Sequence, residues 1–321
     1  MALSLHSSLV FGPVVSRRLG VSLGINNVPY KTCSYSCVYC QLGRTLNLTV
    51  TRKPYTDPGI LVDEVARALE GADRKVDFVT FVPDGEPTLD SNIGSSIRLL
   101  KLELWVDVAV LTNASLLWMP EVREDLSNSD LVSVKVDAVS ERVWRRVNRP
   151  HPSLSLDKVL DGIKKFVRDY TGAVITETML VEGINDGEDE IKGIADFIGE
   201  LSPMKAYIMV PTRPPAEPWA RGAPRNKLEL LRDELRSRGI AAEILDYHEP
   251  PPRGYSDLLS FVANTIRVHP LRLDYVERMA REANVEPATV IEALKQDPSV
   301  EIVEYMGYKF IVWRPKPGRS G

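Results

Sequence analysis

Apolar positions along this chain switch repeatedly between two spacings. Residues 57–71 carry Ile60, Leu61, Val65, Ala68 and Leu69 at helical spacing, and Gly71 ends the run. Residues 77–82 form a short, largely apolar run of the strand kind. The alternation continues, with strands predicted at 105–111, 131–136, 174–180 and 206–210. Helices are predicted at 91–101, 140–148, 156–170 and 186–201, the last capped from Asn185-Asp186-Gly187. A first strand at 21–25 follows a loop punctuated by Gly and Pro that starts at Phe11. These six strand–helix units predict an α/β fold, a parallel sheet with helices outside, and six suit a partial (β/α)6 barrel. A helix at 226–237 and a further strand at 240–246 follow.

The rhythm then changes. Glu249-Pro250-Pro251-Pro252-Arg253-Gly254 reads as a linker. Short helices at 257–267, 271–281 and 287–295 precede a hairpin of 300–305 and 308–313 that turns at Met306-Gly307. Three helices and a hairpin suggest a winged-helix-like α+β domain. The expected division is 1–248 for the barrel with its N-terminal extension, 249–256 for the linker and 257–321 for the small domain.

In parallel α/β architecture, ligands sit at the carboxyl ends of the strands. Pro83-Asp84-Gly85-Glu86-Pro87-Thr88 follows the second strand, and Thr112 and Asn113 follow the third. In the fourth, Ser133, Lys135 and Asp137 alternate with Val132, Val134 and Val136, so a polar face would line a lumen. Lys135 and Asp137 are therefore the catalytic candidates; the bland alternative is that they neutralise each other. Thr176 and Thr178 lie on one face of the fifth strand and Glu177 on the other, so a polar group points inward. Pro211-Thr212-Arg213-Pro214-Pro215-Ala216-Glu217-Pro218-Trp219 is a stiff loop over the site, either a substrate-contacting lid or a spacer.

The chain has three cysteines, Cys33, Cys37 and Cys40, on one loop at CxxxCxxC spacing. Each thiolate can bind a different iron of a [4Fe–4S] cube, leaving the fourth iron open for chemistry. The alternative, zinc, would be one ligand short. Arg17, Arg18 and Lys31 either offset the negative charge of the thiolate cluster or are ordinary surface charges.

With its CxxxCxxC loop, the chain resembles the radical S-adenosylmethionine (SAM) superfamily. The resemblance implies a partial barrel, a [4Fe–4S] cluster as metal site on Cys33, Cys37 and Cys40, and SAM chelating the open iron. It implies reductive cleavage to a 5′-deoxyadenosyl radical that abstracts hydrogen from a substrate. Tyr39 matches the aromatic residue usual before the third cysteine. Gly85-Glu86-Pro87 resembles the family's GGE-type motif, which holds the SAM amino group, although Asp84 stands where the first Gly would be. Tyr39, Gly85, Glu86, Pro87, Thr112, Asn113, Thr176 and Thr178 are the expected cofactor contacts. A basic residue among Arg145, Arg146 and Arg149 would meet the SAM carboxylate. A one-electron reductant such as ferredoxin or flavodoxin is the implied partner. Gly12-Pro13, Ser16-Arg17-Arg18-Leu19-Gly20, Lys31-Thr32-Cys33 and Cys40-Gln41-Leu42-Gly43-Arg44-Thr45 resemble the branch grouped with wyosine-type tRNA-modifying enzymes. That branch implies a tRNA base as substrate, yet the cysteines for a second cluster are missing here.

At 321 residues and net charge −4, the chain suits a globular enzyme with an appendage and argues modestly against a large nucleic-acid footprint. The helix at 287–295 carries one Lys and one Glu, so DNA is an improbable partner. No apolar run spans a bilayer, the start Met1-Ala2-Leu3-Ser4-Leu5-His6 lacks the charged region and cleavage site of a secretory signal, and an oxygen-sensitive cluster calls for a reducing cytoplasm. The leading expectation is an enzyme of the radical SAM kind that abstracts hydrogen from a substrate, with a tRNA base as one candidate. The alternatives are radical chemistry on a small metabolite or peptide, and an iron- or redox-sensing regulator acting through the winged helix.

Overall fold

The computed structural model describes residues 9–72, 75–246 and 257–314. The expected linker at 249–256 lies outside the described residues. Strands β1 (Val10–Ser16) and β2 (Gly20–Ile25) form an antiparallel hairpin where a loop was expected from Phe11. The Gly12-Pro13 pair is absorbed where the register shifts between Phe11 and Val14. β1 is a sheet edge, where a missing proline N–H breaks no ladder. β3 (Thr32–Cys33) and β4 (Asn47–Leu48) make a two-residue parallel pair beside the cysteines.

Helix α1 (Pro58–Glu70) begins at Asp57, whose side chain caps the Ile60 N–H at 3.0 Å. β5 (Phe78–Phe81), a 3₁₀ turn at Pro87–Leu89, α2 (Ile93–Leu104) and β6 (Val108–Thr112) follow. The third strand starts later than expected because α2 runs on to Trp105, which ends it at φ 54°. The short α3 (Pro120–Leu126), not foreseen, precedes β7 (Leu131–Lys135). Then come α4 (Glu141–Val147), α5 (Leu156–Asp169), β8 (Ala173–Met179), α6 (Glu188–Leu201), β9 (Lys205–Met209), α7 (Arg225–Ser237) and β10 (Ala242–Leu245). Gly187 caps α6 without a side-chain bond, and Asn185 instead ties the Val181 N–H to the carbonyls of Asp137 and Met179.

The sheet runs β1-β2-β5-β6-β7-β8-β9-β10, parallel from β2 onward, and curls into the partial barrel. One face, with Val132, Val134, Val174 and Ile208, packs under helix residues such as Phe166 and Ile194. The other carries Ala109, Leu131, Ile175, Tyr207 and Leu245 with Leu19, and forms the lumen floor.

The last segment holds α8 (Leu258–Val268), β11 (Leu271–Arg272), α9 (Leu273–Glu282), α10 (Pro287–Lys295), β12 (Val300–Tyr305) and β13 (Tyr308–Trp313). The predicted helix at 271–281 is thus a short strand running into a helix. β11, β13 and β12 form an antiparallel sheet. Phe261, Ile266, Met279, Leu294 and Ile311 give this segment a core of its own. It packs on the barrel through α8 against β1. No helix among the described residues is long and apolar enough to cross a membrane.

Candidate functional site

The cysteine loop is clamped from several strand ends. Cys33 receives N–H contacts from the Tyr35 backbone and Asn113 Nδ2, each at 3.5 Å, and Cys37 one from Asn148 Nδ2 at 3.4 Å. Lys31 Nζ lies 3.1 Å from Cys40 Sγ. Burial works against the Lys31 ammonium, but Cys40 and Cys33 together hold its pKa above the ordinary value. Burial and then Glu86 push the Cys33 thiol up to about 12, and burial and Asp137 push Cys37 to about 11. Coordination by iron reverses that, since a coordinating thiol is deprotonated. Three soft sulfur donors on one loop, each with an N–H group aimed at it, fit an iron–sulfur cube.

The expected residues gather here, in unexpected roles. Gly85 sits so close to the cysteine strand that an added Cβ would lie 1.8 Å from the Thr32 carbonyl oxygen. Pro87 opens the 3₁₀ turn. Glu86 turns inward: its Oε1 accepts from Thr88 and Thr112 hydroxyls, each at 2.6 Å, and its Oε2 from the Asn113 N–H at 2.8 Å. Burial raises its pKa, while the Thr112 and Thr88 bonds pull it back. That carboxylate joins two strand ends, which leaves backbone rather than side chain at this motif for an ammonium group. Asn113 and Thr112 thus reach the cysteine loop through Glu86 and through Ser34, 2.9 Å from Asn113 Nδ2.

Asp137, expected as a catalytic group, is fully engaged. Its Oδ2 accepts from the Tyr39 hydroxyl and from Asn148 Nδ2 at 2.7 Å, and its Oδ1 from the Met179 N–H at 2.8 Å. It positions Tyr39 and, through Asn148, Cys37. Lys135 faces the lumen, 5.3 Å from the Tyr39 ring centroid and 4.0 Å from Glu177 Oε2. Glu177 also pairs with Arg18 and accepts from Ser133 Oγ at 2.7 Å. Burial opposes its charge, but Arg18 and Lys135 outweigh burial and keep the carboxyl below the usual range.

Thr176 and Thr178 do not line the lumen. Thr176 pairs in register with Val134, on the helix-facing side, and Thr178 donates to the Val136 carbonyl at 2.8 Å. Glu177 holds the inward position instead. Arg145, Arg146 and Arg149 also turn away, onto Glu141, the Gly183 carbonyl and Glu217. Of the early cations, Lys31 meets a cysteine sulfur, Arg18 reaches Glu177 and the Met209 sulfur, and Arg17 donates to the Asp246 carbonyl at 2.7 Å. The proline-rich loop grips the cysteine loop: the Glu217 N–H donates to Val38 at 2.9 Å, and its carboxylate takes Arg44 and Arg149. Asn148 carried no local motif that marked it, and the sequence named Arg18, Glu177 and Glu217 without these partners.

Above the lumen floor lies a cavity of about 280 Å³ lined by Thr80, Leu111, Met179, Met209 and Gln41, and roofed by Val268 and Leu271. Apolar walls with a few polar groups suit a nucleoside-type cofactor.

The sequence model of the Radical SAM superfamily matches residues 27–198. A UPF0026 protein of Methanocaldococcus jannaschii is 37% identical over 94% of this chain and 95% of its own length. A probable dual-specificity RNA methyltransferase of Thermotoga maritima is 24% identical over 66% of this chain and 61% of its own. A radical SAM methyltransferase from Sphaerobacter thermophilus has the same fold, with TM-score 0.52 and 19% identity over 70% of this chain and 66% of that one. The chain belongs to the radical SAM superfamily, an enzyme family that works with a [4Fe–4S] cluster and S-adenosylmethionine.

Proposed function

We propose that this enzyme modifies an RNA base, with tRNA as the first RNA to test. The observation that carries the reading is the pairing of the lumen, which the cysteine loop reaches through Gln41, with an appended segment in the order helix, strand, helix, helix, hairpin. That order is winged-helix-like, and residues 257–321 serve as a module that presents substrate to the barrel. The similarity to an RNA methyltransferase supports the same substrate class. The α10 helix carries one Glu and one Lys, too little phosphate-neutralising charge for tight DNA binding.

When bound, the two cofactors supply hydrogen-atom abstraction by a 5′-deoxyadenosyl radical. Cys33, Cys37 and Cys40 would hold the cluster, with one iron left for SAM. Lys31, Asn113 and Asn148 direct N–H groups at the sulfurs, which would favour the more negative, reduced form. Lys135 offers the lumen cation for the SAM carboxylate, and the Glu86 loop offers backbone carbonyls for its ammonium. Tyr39, held by Asp137, sets its ring beside Lys135. Thr265 and Val268 of α8, with Leu271, cover part of the lumen cavity. A ferredoxin- or flavodoxin-type donor supplies the electron.

The test is 5′-deoxyadenosine release by anaerobically reconstituted enzyme with SAM and dithionite, with and without tRNA from a strain lacking this gene. Release should rise several-fold with that tRNA. Release that ignores RNA but rises with a metabolite or peptide pool would overturn the RNA reading and leave the enzyme class intact.

A further inference from the structure

A second chamber lies between the barrel and α8, and none of the chemistry above uses it. It encloses about 330 Å³. Two buried acceptors on its walls, Asp84 Oδ1 and Asn27 Oδ1, have no hydrogen-bond partner among the described residues. Asp84 is 5% exposed and Asn27 1%. Buried acceptors of this kind are costly unless something donates to them.

Aromatic side chains make part of the remaining wall. The rings of Tyr30 and Trp313 meet edge to face at 5.0 Å, and Tyr55 also lines the chamber. The Arg267 guanidinium lies 4.7 Å from the Trp313 ring centroid, so that ring already faces a cation. A second cation is therefore poorly suited to the space, whereas a neutral flat ring with N–H groups on one edge fits both features. Single-stranded RNA bases are read in this manner, by stacking on aromatic side chains and by hydrogen bonds along their edges. The chamber adjoins the cysteine loop: Tyr30 is three residues before Cys33, and Gly85, next to Asp84, touches Thr32.

We infer that this chamber is the recognition pocket for a nucleobase bearing amino or ring N–H groups, which donate to Asp84 and Asn27 while the ring packs against Tyr30 and Trp313. This deepens the RNA-base reading and rests on it. It also gives a purpose to Asp84, which stands where the superfamily's motif has a glycine that can offer no side-chain acceptor.

The test is ligand binding to the anaerobic, cluster-loaded full chain, followed by saturation-transfer NMR and equilibrium dialysis. The probes are cytidine, guanosine and N4,N4-dimethylcytidine, with SAM titrated separately. Cytidine or guanosine should bind, and dimethylation of cytidine should weaken binding by about tenfold or more, because it removes the donors. Asp84→Ala should weaken base binding to a similar degree and leave SAM affinity and the cluster absorbance unchanged. Asp84→Asn, which keeps the shape, guards against a folding defect and should fall between. Loss of SAM affinity rather than base affinity in Asp84→Ala would assign the chamber to the SAM ammonium and overturn the inference. If tRNA still stimulates deoxyadenosine release in Asp84→Ala as in the parent, the pocket is wrong and the RNA reading survives. If the parent neither binds a base nor responds to RNA, both fall together.

Discussion

Glu86 and Asp137 show how a residue can be in the predicted place with a different task. Both are buried acidic groups at strand ends, and sequence position alone marks such groups as cofactor contacts or catalysts. In the fold each has its oxygens filled by the chain's own donors: Glu86 by Thr88, Thr112 and Asn113, Asp137 by Tyr39, Asn148 and Met179. Apart from Thr88 and Asn148, these donors come from distant segments, so this distinction was not legible in the sequence. The cysteines were legible because their spacing is local. Asp84 is the contrasting acid. Burial, only partly offset by Asn26 and by the charges of Lys31 and Arg267, lifts its pKa from 3.8 to about 7, with Tyr30 the other titrating neighbour. Between those values the folded chain keeps a proton that the unfolded chain has lost. The protonated form therefore contributes stability below pH 4 that drains away as pH rises to about 7. The upper limit of that loss is about 4 kcal/mol. Asp84→Asn cannot ionise. Its melting temperature should exceed the parent's at pH 8 by several degrees, and the gap should close toward pH 4. Equal melting temperatures at pH 8 would contradict a strained Asp84.

At the scale of elements, periodicity located every strand of the barrel except β1 and every long helix. β1 was missed because Gly12 and Pro13 interrupt its pattern, and only its pairing with β2 makes it a strand. α3 was missed because seven residues are too few to establish a helical period. Thr176 and Thr178 were assigned inward because the alternation gives two faces and does not say which is the lumen; Ser133 and Lys135, bonded to Glu177, settle that. The proline-rich loop after β9 shows a loop acting as a clamp. Hydrogen bonds from Arg44, then Arg149, hold the Glu217 carboxyl below its usual pKa. Its contribution is present above the ordinary glutamate range and is lost as pH falls through it. Glu217→Gln should loosen the grip on the cysteine loop. Because Arg44 is largely exposed, the cost should stay below about 2 kcal/mol. Hydrogen exchange at Val38 to Cys40 and at Glu217 should rise at least several-fold in the cluster-loaded variant, and unchanged exchange would show that the ion pairs are incidental.

At the scale of the whole molecule, Gln41 joins the appended module to the cluster loop. Gln41 follows Cys40 directly, donates to the Val268 carbonyl at 3.0 Å and accepts from Arg213 at 2.9 Å. Val268 ends α8 and stands in the walls of both chambers. Tyr305 adds a second tie, from the hairpin to the Pro211 carbonyl at 3.2 Å. The roof over the lumen is thus fastened at the residue after a cysteine, at the loop after β9 and on β1. The fastenings of this roof set how often it moves away from the lumen. Gln41→Ala removes the bond to α8 without touching a sulfur, so iron content should stay the same. Module opening should become easier by about 1 kcal/mol, the usual net worth of one hydrogen bond, which corresponds to roughly fivefold faster exchange of α8 amides. Deuterium uptake of the α8 peptide, compared between parent and variant, measures this directly. Equal uptake would mean that packing of α8 on β1 alone holds the roof shut, and that the cysteine loop has no mechanical hold on the module.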